Sequence, residues 1–213
     1  MPALPPTLTA LAPDPRQPDY RLVEVDRGRF ASLPAAALEP LRLRVGDELS
    51  AAVLARLRDL ADIEAAQRAA LRALARRAHA RVDLRRRLVQ KQHPPAAVDA
   101  ALARLTGQGL LDDARFARAY AASRLGRGRG PARLIKDLLA QGVERRLAET
   151  AVARAVTDEG VDPDEEARAI AERRVRQLAD LPAPVRKRRL TAYLLRRGFS
   201  GGKMRALVER LCG

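Results

Sequence analysis

One short apolar pattern recurs three times in this chain, at offsets that a single globular core would not require. In the middle copy it consists of Leu134, Leu138 and Val143; 50 positions earlier stand Leu84, Leu88 and His93, and 56 positions later Leu190, Leu194 and Phe199. The register holds downstream, where Ala148, Ala151, Val152 and Ala155 match Val98, Ala101, Leu102 and Leu105, and also Met204, Leu207, Val208 and Leu211. Separations of three and four residues put each set on one helical face. Each copy thus reads as helices joined by short turns. A helical unit of this length, repeated, is the signature of an array whose members bury their stripes against neighbours. The expected fold is all-α: tandem three-helix, helix-turn-helix-like repeats forming an elongated curved array, with a small N-terminal cap that contains a β-hairpin.

Punctuation residues set the expected boundaries. Residues 1–19 contain six prolines and no apolar run, and read as a disordered lead. Residues 20–62 read as a hairpin plus a helix: Tyr20, Leu22 and Val25 precede Asp26-Arg27-Gly28-Arg29, with Gly28 supplying the turn. Ser50 is a fitting N-cap for a helix from Ala51. The first repeat spans 63–111, with Leu71, Leu74 and Ala78 as the stripe of its opening helix; Pro94 and Pro95 separate its second and third helices. The second repeat spans 112–160. Asp112 and Asp113 suit the positive end of its first helix, and Phe116, Ala117 and Tyr120 its buried face. The third spans 161–213, opening at Asp162-Pro163, breaking at Pro182, Pro184 and Gly198, with Ser200 placed to cap the last helix.

Charge is distributed as unevenly as the repeats are regular. The whole chain carries a formal net charge of +15. Residues 1–62 hold 8 basic and 9 acidic side chains, whereas residues 63–213 hold 33 and 17, a net of +16. The repeats therefore suit a polyanion or an acidic protein surface. Aromatics make up only 3% of the chain and Trp is absent, which argues against a binder that stacks bases on aromatic platforms. Cys212 is alone, so neither a disulfide framework nor a thiolate metal cluster is expected. His79 and His93 are the only histidines, and from their core-like or solvent-like positions no Ser/His/Asp or Cys/His arrangement can be assembled. No catalytic, cofactor or metal site is expected. With no membrane-length apolar run and no signal-peptide pattern, a cytoplasmic monomer that does not engage a membrane is the expected setting.

The candidate contact residues are basic and recur on the repeats: Arg85, Arg86, Arg87, Arg115, Arg118, Arg124, Arg127, Arg129, Arg133, Lys136, Arg186, Lys187, Arg188, Arg189, Arg196 and Arg197. Arg85 to Arg87, Arg133 with Lys136, and Arg186 to Arg189 fall on the second helix of a copy. Charge reversal of Arg186, Lys187, Arg188 and Arg189, or of Arg127, Arg129 and Arg133, which sit at helix starts and connectors away from the apolar stripes, is expected to leave the helical content intact. The loop Gly126-Arg127-Gly128-Arg129-Gly130 lacks the preceding strand and the Lys-Ser/Thr ending of a phosphate cradle, and reads as a basic helix connector.

The segment Leu111–Val143 resembles the signature of the RecX family. The match lies in Asp-Asp-x-Arg-Phe-Ala-Arg-x-Tyr at 112–120 and in Gly-Pro-x-x-Leu-x-x-x-Leu-x-x-x-Gly-Val at 130–143. The first repeat follows the family's Ala-Leu…Arg-Arg…Leu-Arg-x-x-Leu pattern but departs at Gln92-His93, where a Gly and an apolar residue are usual. The likeness covers about residues 50–213, and the hairpin region resembles the front of longer members. It implies a non-enzymatic regulator that lies along a RecA filament, blocking its extension or promoting its disassembly, with weak, sequence-independent contacts to single- or double-stranded DNA. A second class follows from the three-helix units alone: a helix-turn-helix-like transcription regulator or a non-specific nucleic-acid-binding module. Against sequence reading, the third helices at 95–106 and 147–156 are mostly Ala, with few base-reading side chains.

Overall fold

The structure, a computed structural model, describes residues 5–213. Packing divides the chain into two units, one comprising the residues up to Arg77 with Leu84–Leu110, the other Ala78–Asp83 with Leu111–Gly213.

The first unit opens with an antiparallel sheet of order β1-β2-β3: β1 (Leu8–Asp14), β2 (Gln17–Val25) and β3 (Gly28–Pro34). The Pro-rich lead expected to be disordered is therefore a strand from Leu8 on; its first four residues lie outside the described ones. The prolines that suggested disorder sit where a sheet tolerates them. Pro13 is on the edge strand β1, Pro15 is in the β1–β2 turn, and Pro18 falls between the paired stretches of β2. Asp14 fixes that turn, its carboxylate accepting the Arg16 N–H at 2.9 Å and the Ser32 hydroxyl at 2.6 Å. The β2–β3 turn also differs from expectation. Asp26 and Arg27, with φ of 51° and 62°, make it, and Gly28 is already in β3. Two successive positive φ values are what a two-residue hairpin needs to match strand twist.

A short helix α1 (Ala35–Leu38) and a 3-10 turn (Glu39–Leu41) lead to α2 (Ala51–Arg76). Ser50 caps α2 as its sequence position suggests, accepting the Val53 N–H at 3.3 Å. The helix runs unbroken through the 62/63 division expected from sequence, and so serves both the sheet and the first repeat. Its N-terminal half packs Leu57 and Leu60 under the sheet with Leu8, Val23 and Leu33. Its C-terminal half buries Glu64, Ala66 and Ala70, not the expected stripe: Leu71 and Ala78 are exposed and Leu74 is half-buried. Small Ala side chains there admit the close approach of α4 (Pro95–Gly107), whose Val98, Ala101, Leu102 and Leu105 are fully buried. Glu64, only 2% exposed, joins three elements: it accepts the Tyr20 hydroxyl at 3.0 Å and the Arg104 guanidinium at 2.8 Å. A buried carboxylate held this way keeps its charge satisfied.

Helix α3 (Arg81–Gln90) buries Leu84 and Leu88, as the repeat register requires. At its end Gln92 has φ of 66°, the left-handed conformation that Gly142 and Gly198 supply in the other copies. The departure from the family pattern is thus a side chain in a glycine's place, with His93 half-buried beside it.

The second unit contains α5 (Asp113–Ala122), α6 (Pro131–Ala140) and α7 (Arg145–Asp158), then α8 (Pro163–Arg176), α9 (Ala183–Arg197) and α10 (Gly202–Cys212). One core gathers Phe116, Leu134, Leu138, Val143, Ala148 and Val152, with Tyr120 partly buried against it. The other gathers Ile170, Leu190, Leu194, Phe199, Met204 and Val208. Gly201 and not Ser200 is the N-cap of α10, and no side chain caps it. The start of α6 meets the end of α9 through backbone. The Gly130 N–H donates to the Arg197 carbonyl at 2.7 Å, and the Ala132 N–H to the Gly198 carbonyl at 3.3 Å. A β-carbon on Gly198 would strike the Arg133 backbone, and its φ of 89° disfavours one in any case.

Two substitutions test this packing. Phe116→Ala removes a ring 7% exposed and is expected to cost about 3–5 kcal/mol in chemical denaturation. Gly198→Ala combines backbone strain with the clash, whereas Gly201→Ala, at φ of 103° with open space around it, carries strain of about 1–3 kcal/mol alone. Gly198→Ala should lower the denaturation midpoint clearly more than Gly201→Ala.

Candidate partner-binding surface

The helices place the basic side chains by their period: with Leu134, Leu138, Leu190 and Leu194 buried, Arg133, Lys136, Arg188 and Arg189 fall on exposed positions beside them. Once outside, many of these cations are engaged by neighbours in the same unit. On α6, Asp137 gathers a network. Arg129 and Arg133 each reach its carboxylate at 2.9 Å, and the Tyr120 hydroxyl lies 3.4 Å from it. Arg124 covers the other partner, its guanidinium 3.8 Å from the Tyr120 ring centroid. Lys136 is exposed next to Asp137 in sequence. On α5, Arg115 and Arg118 are exposed, and the Arg115 backbone N–H bonds to the cap residue Asp112.

The α9 run divides into two kinds. Arg186 donates to the Cys212 carbonyl at 3.1 Å and Lys187 pairs with Glu209, so both tie α9 to α10. Arg188, Arg189 and Arg196 are exposed. Arg197 is half-buried, donating to the Gly128 carbonyl at 3.1 Å and lying 4.8 Å from the Tyr193 ring centroid. In the first unit, Arg85 makes a two-pronged pair with Asp99 at 2.6 and 2.9 Å. Its neighbours Arg86 and Arg87 are exposed. Charge reversal at Arg186 and Lys187 therefore also breaks contacts between α9 and α10, and at Arg129 and Arg133 it breaks the network around Asp137.

The Gly-Arg connector is also more ordered in its contacts than a plain linker. Its Gly128 N–H donates to the Glu166 carboxylate on α8 at 2.7 Å, so a backbone donor that would face a phosphate in a nucleotide cradle already holds a carboxylate. Arg127 lines a cavity of about 510 Å³ together with Arg173, Arg174, Tyr193 and Arg197. Arg173 and Arg174 escaped the sequence reading because basic residues in the last turn of a helix are accounted for by its dipole. Glu64 escaped it as well: one acidic residue among apolar ones on a long helix gives no pattern.

Caps hold the helix starts. Asp112 accepts N–H groups from Ala114 and Arg115 at 2.8 and 2.9 Å, and Glu144 those of Arg146 and Leu147 at 3.0 Å each. These backbone hydrogen bonds hold both carboxyls below their ordinary values. Among the described residues no group of three or more His, Cys, Asp or Glu is placed to hold a metal ion, and no helix is long and apolar enough to cross a membrane.

Tandem three-helix domains place the chain among regulatory proteins of one class. The chain belongs to the RecX family: the descriptions of its first, second and third three-helix domains match residues 66–105, 112–152 and 162–208. The regulatory protein RecX of Halorhodospira halophila is 40% identical over 144 residues, covering 67% of this chain and 86% of that one. That of Xanthomonas oryzae pv. oryzae is 39% identical over 140 residues, covering 66% and 84%. A crystal structure of regulatory protein RecX shares the fold with a TM-score of 0.71 at 20% identity, covering 97% of this chain and 98% of that one. RecX from Lactobacillus salivarius gives 0.59 at 20% identity, over 70% and 96%.

The caps make a pH prediction. A carboxyl depressed in the folded state stabilises it fully above its unfolded value, and that contribution is lost as pH falls through the lower folded value. For Asp112 the unfolded reference is 3.8, so the loss falls below about pH 4. Asp112→Asn keeps the cap but removes the titration. Its melting temperature should decline less than wild type's between about pH 5 and pH 3; equal slopes would show that the cap does not titrate there.

Proposed function

We propose that this chain is a non-enzymatic regulator of the RecA recombinase, an inhibitor that binds along the RecA–DNA filament and restrains its extension or promotes its disassembly. Membership of the RecX family supports the reading, and the observation that carries it at residue level is the exposed basic set on successive repeats. Arg86 on α3, Arg118 on α5, Lys136 on α6, and Arg188, Arg189 and Arg196 on α9 offer guanidinium and ammonium groups to solvent. Guanidiniums bind protein carboxylates and DNA phosphates alike, and a filament of RecA on DNA presents both. The arginines engaged with Asp137, Cys212 and Asp99 belong instead to the frame that orients these groups. DNA contact in this reading is weak and independent of sequence, because α4 and α7 turn Val98, Leu102, Ala148 and Val152 into cores. A recognition helix would need base-reading side chains on its groove-facing positions.

The test is RecA ATP hydrolysis on single-stranded DNA against added protein, at two salt concentrations, beside co-sedimentation with the filament. Arg118→Glu combined with Arg188→Glu and Arg189→Glu should raise the half-inhibitory concentration about tenfold or more, since each lost cation also removes attraction at a distance. Circular dichroism of the variant should match wild type. Raising salt should weaken wild-type inhibition more steeply than that of the variant. Undiminished inhibition by the triple variant would reduce these arginines to solvated faces.

A further inference from the structure

The cavity beside the Gly-Arg connector is a place where positive charge has been collected without being balanced. It lies within the second unit, between the α5–α6 loop and helices α8 and α9, with a volume of about 510 Å³. Arg127, Arg173, Arg174 and Arg197 line it, against the single carboxylate of Glu166. One oxygen of that carboxylate accepts the Gly128 N–H at 2.7 Å, and the other is buried without a hydrogen-bond partner, so a single negative charge stands against four cations. A second cavity, of about 340 Å³ near Asp164 and Lys203, makes the contrast: there the lysine and the aspartate meet at 2.6 Å. The arginine cavity has no comparable pairing. Like charges brought together at a partly enclosed surface repel, and the arrangement persists most easily where an anion offsets them.

Two of the guanidiniums are fixed in advance. Arg174 and Arg197 lie 5.0 and 4.8 Å from the Tyr193 ring centroid. Arg197 donates to the Gly128 carbonyl at 3.1 Å, and Arg174 to Gln177 at 2.7 Å. The Arg174 Nε–H is buried and has no hydrogen-bond partner, an orphan donor at the cavity wall. Arg127 and Arg173 are exposed, so they are free to close over a ligand that the first pair has positioned. A pair of guanidiniums suffices for one carboxylate; four, offset by one glutamate, match a ligand of two or more negative charges. The volume is in the range that holds a small molecule rather than a lone ion. With Tyr193 already covered by arginines, the ring offers no platform for a base, so recognition rests on phosphate.

We propose that this cavity binds adjacent phosphate groups, supplied by a nucleic-acid backbone or by a free oligophosphate, without preference for base. The assignment stands apart from the RecA reading, because neither the argument nor the test involves RecA.

The test titrates the full chain by calorimetry with three probes: inorganic pyrophosphate, a short oligothymidine and an acidic peptide. Arg127→Gln with Arg173→Gln should weaken pyrophosphate binding about tenfold or more, with circular dichroism unchanged. Arg154→Gln with Arg205→Gln removes the same formal charge from exposed positions outside the cavity and should change pyrophosphate binding less than about twofold. If the cavity pair weakens binding of both pyrophosphate and oligothymidine, and pyrophosphate displaces the oligonucleotide, the phosphates come from nucleic acid. If it weakens pyrophosphate alone, a free oligophosphate is the ligand. Should the double variant prove unstable, Arg173→Gln alone must still weaken pyrophosphate more than the control pair does. The proposal is overturned if wild type does not bind pyrophosphate at millimolar concentration, or if both pairs weaken it equally. It is overturned too if an acidic peptide binds wild type and loses affinity in the cavity pair while pyrophosphate does not, which would assign the cavity to protein carboxylates.

Discussion

The second unit depends on a close backbone approach between the start of α6 and the end of α9. Helix starts leave N–H groups unsatisfied and helix ends leave carbonyls unsatisfied. Here the two sets meet: the N–H groups of Gly130 and Ala132 find the carbonyls of Arg197 and Gly198. Such contact requires that no side chain intervene, which is why glycines stand at both positions. Val82, in the first turn of α3, lies against Gly142 at the end of α6 in the same manner. The glycine that ends a second helix therefore has two functions. It lets the chain turn in the left-handed conformation, and it opens room for another helix's start.

That junction also explains the position of the arginine cavity. Fixing α6 against α9 draws the preceding loop across α8, where Gly128 donates to Glu166 and receives Arg197. The loop's own Arg127 is thereby carried to the rim that Arg173 and Arg174 already occupy on α8. Arg127, the Arg173–Arg174 pair and Arg197 are far apart in sequence. They are brought together by the backbone junction of α6 with α9 and by the contacts of Gly128 with Glu166 and Arg197.

Much of this fold was legible because helix packing repeats with the helix's own period. Leu84, Leu134 and Leu190, read as equivalent from spacing alone, are all fully buried, and Leu88, Leu138 and Leu194 are buried likewise. Capping chemistry was equally readable at Ser50 and Asp112, since it depends on residues within three positions of each other. What failed was whatever depended on distant partners. β1 was missed because its prolines look like disorder until the edge position of the strand is known. The stripe Leu71, Leu74 and Ala78 was misplaced because α2 turns Ala66 and Ala70 toward α4, and alanine on a helix carries almost no directional signal. The family resemblance pointed to the repeats, but it does not distinguish an arginine that meets a partner from one that meets Asp137.

That last distinction bears on how a surplus of arginine should be interpreted. Sequence assigns all sixteen candidate cations the same value, yet Arg129 and Arg133 share one aspartate whereas Arg188 and Arg189 face solvent. Exposed ion pairs of this kind add little stability individually. Their effect is to hold guanidiniums in fixed directions, and a fixed cation loses less freedom on meeting an anion than a mobile one does. Arg124, flat over Tyr120, and Arg197, over Tyr193, gain the same restraint from an aromatic ring where no acid is at hand. Tyr120 and Tyr193 thus act as supports for arginine, whereas Phe116 and Phe199 fill cores. A surface built in this way presents its positive charge in directions set before any partner arrives.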